Sequence, residues 1–306
     1  MLLSRPLHAP RAPLRAPDPG VHPPRPRSAI RKPGGLPGRK PQTGLRGREQ
    51  DAHTPFKGTT LSRQILIIAL ASFVLTQLAS FATSIYLHRA LAHHSLSLRP
   101  ALALMFRTVL WLFTGQSQQQ WVAVHRKHHT FTDREGDPHS PKLLGFWRVQ
   151  LWNVYYYVRE ARQQHMVDTF APDLAPDWWE RHVFSRGYTG LGMGTVVMCW
   201  TLGWWQGVAA MAGHGLLYVF VIAPLINGLG HWRGAQNFGN TAYNSRGLAW
   251  VTAGESLHNN HHAFPRSPKF SLRRSELDPS WIAIRVLAAL RLVDIVGPPM
   301  KARSST

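Results

Sequence analysis

The sequence predicts an all-α protein. We expect an integral membrane helical bundle with a helical cytoplasmic cap, the cap holding a histidine-rich di-metal site. Three observations predict this. Two apolar stretches, both free of Asp, Glu, Lys and Arg, have lengths that a helix needs to cross a bilayer. Polar, aromatic and basic segments separate and follow them. Histidines gather at helical spacings where the apolar stretches end.

Taken in order, residues 1–60 differ from the rest. They hold 12 of the 23 prolines, many more Lys and Arg than Asp and Glu, and no apolar period. Such a segment buries too little surface to offset its chain entropy, so disorder is expected. It lacks the compact apolar core of a secretory signal, and a misassigned start codon explains it equally well. The domain proper is expected over 61–306. Ile65–Leu87 is uncharged and long enough to span. Ala101–Thr114 is apolar but short and contains Arg107, so it reads as a helix in the interface or packed on the core. Residues 115–189 read as water-facing. Gly190–Gly230, with Trp204, Trp205, Gln206, Gly207, Gly213 and His214 at its centre, reads as two spans with a tight turn between. Residues 231–306 are again polar and basic, with an amphipathic surface helix expected over Trp281–Val293.

Composition narrows the class. The formal net charge is +20, from 35 Lys+Arg against 15 Asp+Glu. A charge of this size suits nucleic acid or an anionic membrane surface. Nucleic acid is rejected because much of the excess lies in the first 60 residues. The 12 tryptophans favour a membrane–water interface. The single cysteine, Cys199, excludes an intramolecular disulfide and reads as a small apolar residue.

The 17 histidines decide the reading. One cluster is His88-Arg-Ala-Leu-Ala-His93-His94, a second His125-Arg-Lys-His128-His129, a third His258-Asn-Asn-His261-His262, and Asn227-Gly-Leu-Gly-His231 lies between the last two. Positions i, i+3 and i+4 share a helical face, so the second and third clusters are each expected to aim three imidazoles at one point. Positions 88 and 93 are about 140° apart on an ideal helix, so a break or bend is expected between them. A single zinc takes three or four ligands, whereas at least eight histidines here fall into ligand spacing, which suits two ions. Imidazole serves iron, copper and zinc alike, and the clusters hold no cysteine, which argues against structural zinc and iron–sulfur. A lone HxxHH is as often a surface feature as a metal site. Two copies with an HxxxxH, each beside an apolar segment, are a different matter. His94, His8, His22, His53, His165, His182 and His214 carry no partner pattern and are set aside. His139 is either a residue beside the site or an ordinary loop histidine.

At these residues the sequence resembles the membrane Δ9-type acyl-CoA desaturases. The resemblance runs from about Thr76 to Phe264. It rests on His88-Arg89 with His93, His125 to His129 followed by Gly136-Asp137-Pro138-His139, Asn227 with His231, and Gly254-Glu255-Ser-Leu-His258-Asn-Asn-His261-His262-Ala-Phe264-Pro265. It implies that His88, His93, His125, His128, His129, His231, His258, His261 and His262 ligate two non-haem iron ions, with Asn227 holding a metal-bound water. Asp137 and Glu255 are expected to hydrogen-bond ligand imidazoles. The implied reaction removes two hydrogens from a saturated fatty acyl chain, a CoA thioester or a lipid ester, using O2 as co-substrate and two electrons. The resemblance also implies a multi-pass protein with its active site on the cytoplasmic side.

No haem module is legible, Lys32-Pro-Gly-Gly35 lacking the histidine such a motif needs. Electrons are therefore expected from a separate ferredoxin, rubredoxin or flavin reductase. Arg126, Lys127, Lys142 and Arg148 suggest a basic face for that donor, a CoA phosphate or anionic lipid. Only one clear span precedes His88, where relatives commonly have two. That would leave a basic segment on the outer side, against the positive-inside tendency, so a native N-terminus other than this one is expected. The competing readings are hydroxylation of an apolar substrate at the same kind of site, and a non-catalytic membrane metal carrier.

Overall fold

The computed structural model describes residues 57–300. What was expected of residues 1–56 lies outside the described residues.

The described chain is mostly helical. α1 (Lys57–Ala82) continues without a break into a π-helical segment, Thr83–Ala92. After β1 (Leu96–Leu98) come α2 (Pro100–Phe113), α3 (Gln118–Phe131), α4 (Pro141–Leu144), α5 (Phe146–Ala161) and α6 (Gln164–Phe170). A π turn, Glu180–Phe184, leads into α7 (Gly187–Leu202) and α8 (Trp204–Leu217). α8 is prolonged by a π turn, Tyr218–Ile222, by α9 (Ala223–Asn227) and by the 3-10 turn Leu229–His231. α10 (His258–Ala263), α11 (Pro279–Ala289) and β2 (Val293–Ile295) complete the order. Pro100 and Pro279 start their helices, where a missing N–H costs nothing. Asp278 caps α11 by accepting from the Trp281 amide at 3.0 Å.

Two continuous rods are long and apolar enough to cross a membrane, Thr60–Ala92 and Trp204–His231. They pack side by side through α1 and α8. Gly213 allows the approach, for a Cβ there would collide with Ser72. His214, set aside from the sequence, is buried here. It meets Thr76 Oγ1 at 3.0 Å and the Phe113 carbonyl at 2.7 Å, joining α8, α1 and α2.

Three expectations need correction. The turn expected within 190–230 is present at Gly203, whose φ of 96° suits glycine. Yet α7 has only 16 residues, fewer than the ~20 that span a bilayer core. The fold is not purely helical either: β1 and β2 pair antiparallel, Leu96 opposite Ile295 and Leu98 opposite Val293. The helix expected to reach Val293 stops at Ala289, because the chain reverses at Arg291 (φ 58°) and becomes extended. Ala101–Thr114 does pack on the core, burying Leu102, Phe106, Leu110 and Trp111.

Candidate metal centre

The π-helical segment settles how His88 and His93 meet. Its i→i+5 hydrogen bonds widen each turn, so residues five apart return to one side. The His93 amide donates to the His88 carbonyl at 3.1 Å, and the two rings lie 4.9 Å apart. The expected break is absent. Winding does the work of a bend.

The nine histidines converge in two groups. His88, His93, His125, His129 and His261 form one, and His128, His231, His258 and His262 the other. The expectation that each HxxHH aims all three rings at one point is therefore wrong. His125 and His129 serve the first group and His128 the second, while His258 and His262 serve the second and His261 the first. Residues four apart differ by only ~40° around a helix, but the adjacent pair differs by ~100°. Each His-His pair thus straddles the two groups, and the His129 and His262 rings stack at 4.3 Å across them.

Within each group the Nε2 atoms face one another. His261 Nε2 lies 3.0 Å from His88 Nε2 and 2.9 Å from His129 Nε2, and His93 Nε2 lies 2.9 Å from His125 Nε2. In the second group His231 Nε2 is 3.1 Å from that of His128 and 3.0 Å from that of His258. Two nitrogens bound at ~2.1 Å to one ion at right angles are ~3.0 Å apart. The donor set therefore fits a metal ion in each group. Hydrogen bonding alone fits poorly, since each neutral imidazole has one N–H and several of these are used on the outer side.

That outer side is built from carboxylates. His88 Nδ1 donates to Glu255 at 2.6 Å, His128 Nδ1 to Asp137 at 3.0 Å and His231 Nδ1 to Asp133 at 3.0 Å. A carboxylate on Nδ1 sets the tautomer that turns the Nε2 lone pair inward. Glu255 and Asp137 were expected in this role. Asp133 was missed, although a carboxylate four residues after His129 was a visible signal. Asp133 also accepts from Ser140 Oγ at 2.6 Å and adopts a left-handed φ of 57°, a conformation Asp tolerates better than most residues.

The electrostatics favour ligation. Burial, then the neighbouring rings, pushes His125, His129, His258, His261 and His262 well below the usual imidazole range, so they stay neutral. Ligation needs the neutral form. Burial pushes the Glu255 and Asp137 carboxyls up, but His88 and His128 outweigh it; Glu255 ends below its usual value and Asp137 at about 2. Burial above all brings His139 down to about 3, and its ring stacks on that of His128 at 4.6 Å. With His128 and Asp137 it forms a third cluster that could hold a metal.

The Asn227 amide donates to Asn153 Oδ1 at 3.1 Å, and Asn227 lines the same cavity as His88, His125, His128 and His258. This cavity, of about 120 Å³, is lined in part by His88, His125, His128, His139 and His258. Val124, Tyr218, Ile222, Ala223 and Ile226 give it apolar walls. Thr83 and Tyr218 hydrogen-bond to each other in the wall at 2.8 Å. His94 turns outward to Asp173 (3.5 Å) and belongs to neither imidazole group. The expected basic face is mostly consumed by the fold. Arg126 binds Asp173, Lys127 binds Glu160 at 2.6 Å and Lys142 binds Asp133 at 3.3 Å.

Fold and site together define a class: helical proteins with imidazole clusters that could hold metal, beside an apolar cavity. Comparison with known proteins makes the class specific. The fatty acid desaturase family model matches residues 64–278. The chain is 31% identical over 247 residues to Delta-9 acyl-lipid desaturase 2 of Arabidopsis thaliana, covering 76% of this chain and 75% of the relative. It is 34% identical over 243 residues to Delta-9 desaturase-like 1 protein of the same plant, covering 75% and 77%. It is 30% identical over 241 residues to icosanoyl-CoA 5-desaturase of Limnanthes douglasii, covering 76% and 66%. The chain belongs to the fatty acid desaturase family, among its Δ9-type members. It is an oxidoreductase of lipid metabolism that desaturates a fatty acyl chain.

Proposed function

We propose that the two imidazole groups hold two non-haem iron ions and that the enzyme introduces a Δ9 double bond into a long saturated acyl chain. The balance is R–CH2–CH2–R′ + O2 + 2 e⁻ + 2 H⁺ → R–CH=CH–R′ + 2 H2O. Iron supplies the one-electron chemistry that activates O2. The observation that carries this reading is nine imidazoles in two groups, several of them lining an apolar cavity.

The chain's own residues have definite tasks. Glu255, Asp137 and Asp133 hold three rings in the ligating tautomer. Trp121 stacks on His125 at 4.9 Å and lines the cavity, restraining the ring. Val124, Ile222, Ala223 and Ile226 hold the methylenes and exclude water. Asn227, anchored by Asn153, offers a polar amide beside the site and is suited to fix a water there. Residues 61–306 act as one membrane domain. The rods Thr60–Ala92 and Trp204–His231 cross the bilayer, and the site lies on the cytoplasmic face, where a separate ferredoxin, rubredoxin or flavin reductase delivers electrons.

The test is reconstitution of purified enzyme with iron, a ferredoxin and its reductase, O2 and a saturated acyl substrate. Gas chromatography should find a Δ9 monoene and metal analysis two irons per chain. An alcohol in place of the alkene would assign the site to hydroxylation. An iron-loaded enzyme that makes neither would overturn the reading.

A further inference from the structure

We propose that the acyl chain enters the cavity sideways from the bilayer, through a portal on α5 at Val154, so that the substrate is an acyl chain already carried by a membrane lipid. This rests on the desaturase reading above and names its substrate class.

The mouth is identified by exposure. Among the residues lining the cavity, Val154 alone is exposed, at 39%. Its surroundings are apolar. Residues 149–158 of α5 include no charged side chain, and Leu151, Trp152 and Tyr155 are all exposed beside Val154. The opposite rim is the π turn and α9 that prolong α8, against which α5 packs. Phe220 and Val221 face outward there. The mouth is thus continuous with one of the two rods long and apolar enough to cross a membrane. Trp and Tyr at its edge suit the depth where headgroups meet acyl chains. α5 also kinks at Trp152, two residues before Val154.

Charge argues in the same direction. A CoA thioester carries several phosphate charges that need cations. No Lys or Arg lines this cavity. Of the four basic residues the sequence suggested for a phosphate, Arg126, Lys127 and Lys142 are each paired with an acidic side chain, and the fourth, Arg148, is exposed near the start of α5 and does not line the cavity. A lipid-borne chain asks for nothing of the kind at the portal, because its headgroup stays in the interface.

Two measurements test this. Val154→Cys in a Cys199→Ala background, labelled with bimane and reconstituted in liposomes, should be quenched by doxyl-labelled lipid and spared by aqueous iodide. Quenching by iodide alone would put the mouth in water and overturn the proposal. Protection from both, with Val154→Cys cross-linking to a second copy, would make α5 a dimer face and overturn it equally. For activity, iron-loaded enzyme with ferredoxin, its reductase and O2 is given either distearoyl phosphatidylcholine bilayers without CoA, or stearoyl-CoA added to diphytanoyl lipid vesicles. Product on the phospholipid, lost in Val154→Trp with iron content unchanged, is the expected result. Product from stearoyl-CoA alone would overturn the lipid route and leave the desaturase reading standing. Product from neither would remove the desaturase reading and this inference with it.

Discussion

Arg89 and Asp278, 189 residues apart in sequence, are joined side chain to side chain at 3.0 Å, and neither side chain is exposed to solvent. Arg89 also reaches Ser84 and Glu255, and its guanidinium lies over the Phe270 ring at 3.8 Å. Asp278 accepts from the Phe270 amide and caps α11. The pair therefore ties the π-helical segment that carries His88 to the C-terminal part of the fold, directly behind Glu255.

Arg89→Ala should lower stability by about 3–5 kcal/mol, the cost of leaving a buried charge without its partner. Arg89→Lys should recover only part of this, since an ammonium cannot make the same forked contact. Thermal unfolding in detergent, followed by tryptophan fluorescence, checks both. An Arg89→Ala protein as stable as wild type would show that the pair does not hold these elements together.

His261→Ala should abolish desaturation and lower bound metal while leaving membrane insertion intact. The side chain is buried, and its Nε2 has two ring nitrogens of the first group within 3.0 Å. Product analysis, metal content and carbonate extraction of membranes separate the three effects. Retained activity would count heavily against the ligand assignment.

Asp133→Asn should cost roughly 10–100-fold in metal affinity or activity, the usual penalty for removing a partner that orients a ligating ring. The amide cannot accept from His231 Nδ1–H with carboxylate strength. Metal titration of the apoprotein measures it, and an unchanged affinity would make Asp133 a loop residue only.

Gly190→Val should destabilise by about 1–3 kcal/mol through overpacking. A Cβ at Gly190 would already collide with the backbone carbonyl and indole of Trp111, where α7 crosses α2. Gly192→Ala is the control, because a Cβ there meets nothing. Equal melting temperatures for the two variants would refute the close crossing.

His94→Ala should leave metal content and activity near wild type, although it adjoins His93. The side chain is 62% exposed and its ion pair with Asp173 is open to solvent. Loss of metal in this variant would mean that the ring turns inward when ions bind.

Much of the site was legible in the sequence. Eight of the nine histidines that converge stand in repeats beside apolar stretches, while His231, Asp137 and Glu255 were marked by the resemblance to a known family. Those signals are local, and local periodicity survives in a one-dimensional reading. What failed depends on winding and on distant partners. The ideal helix predicted a break between His88 and His93, yet a π-helical turn closes the five-residue gap. Three rings per cluster were expected on one point, yet adjacent histidines point about 100° apart, so each pair serves both groups.

The amino-acid sequence by itself determined the imidazole donor set, the first apolar rod and, through its motifs, the family, because residue type and short-range spacing carry them. Only the tertiary structure decided that Asp133 backs His231, that Arg89 meets Asp278, that β2 pairs with β1, and that three of the four candidate docking cations are already paired. Each of these is a contact between segments far apart along the chain. Such contacts follow from how helices pack, and no spacing rule within one segment contains that information.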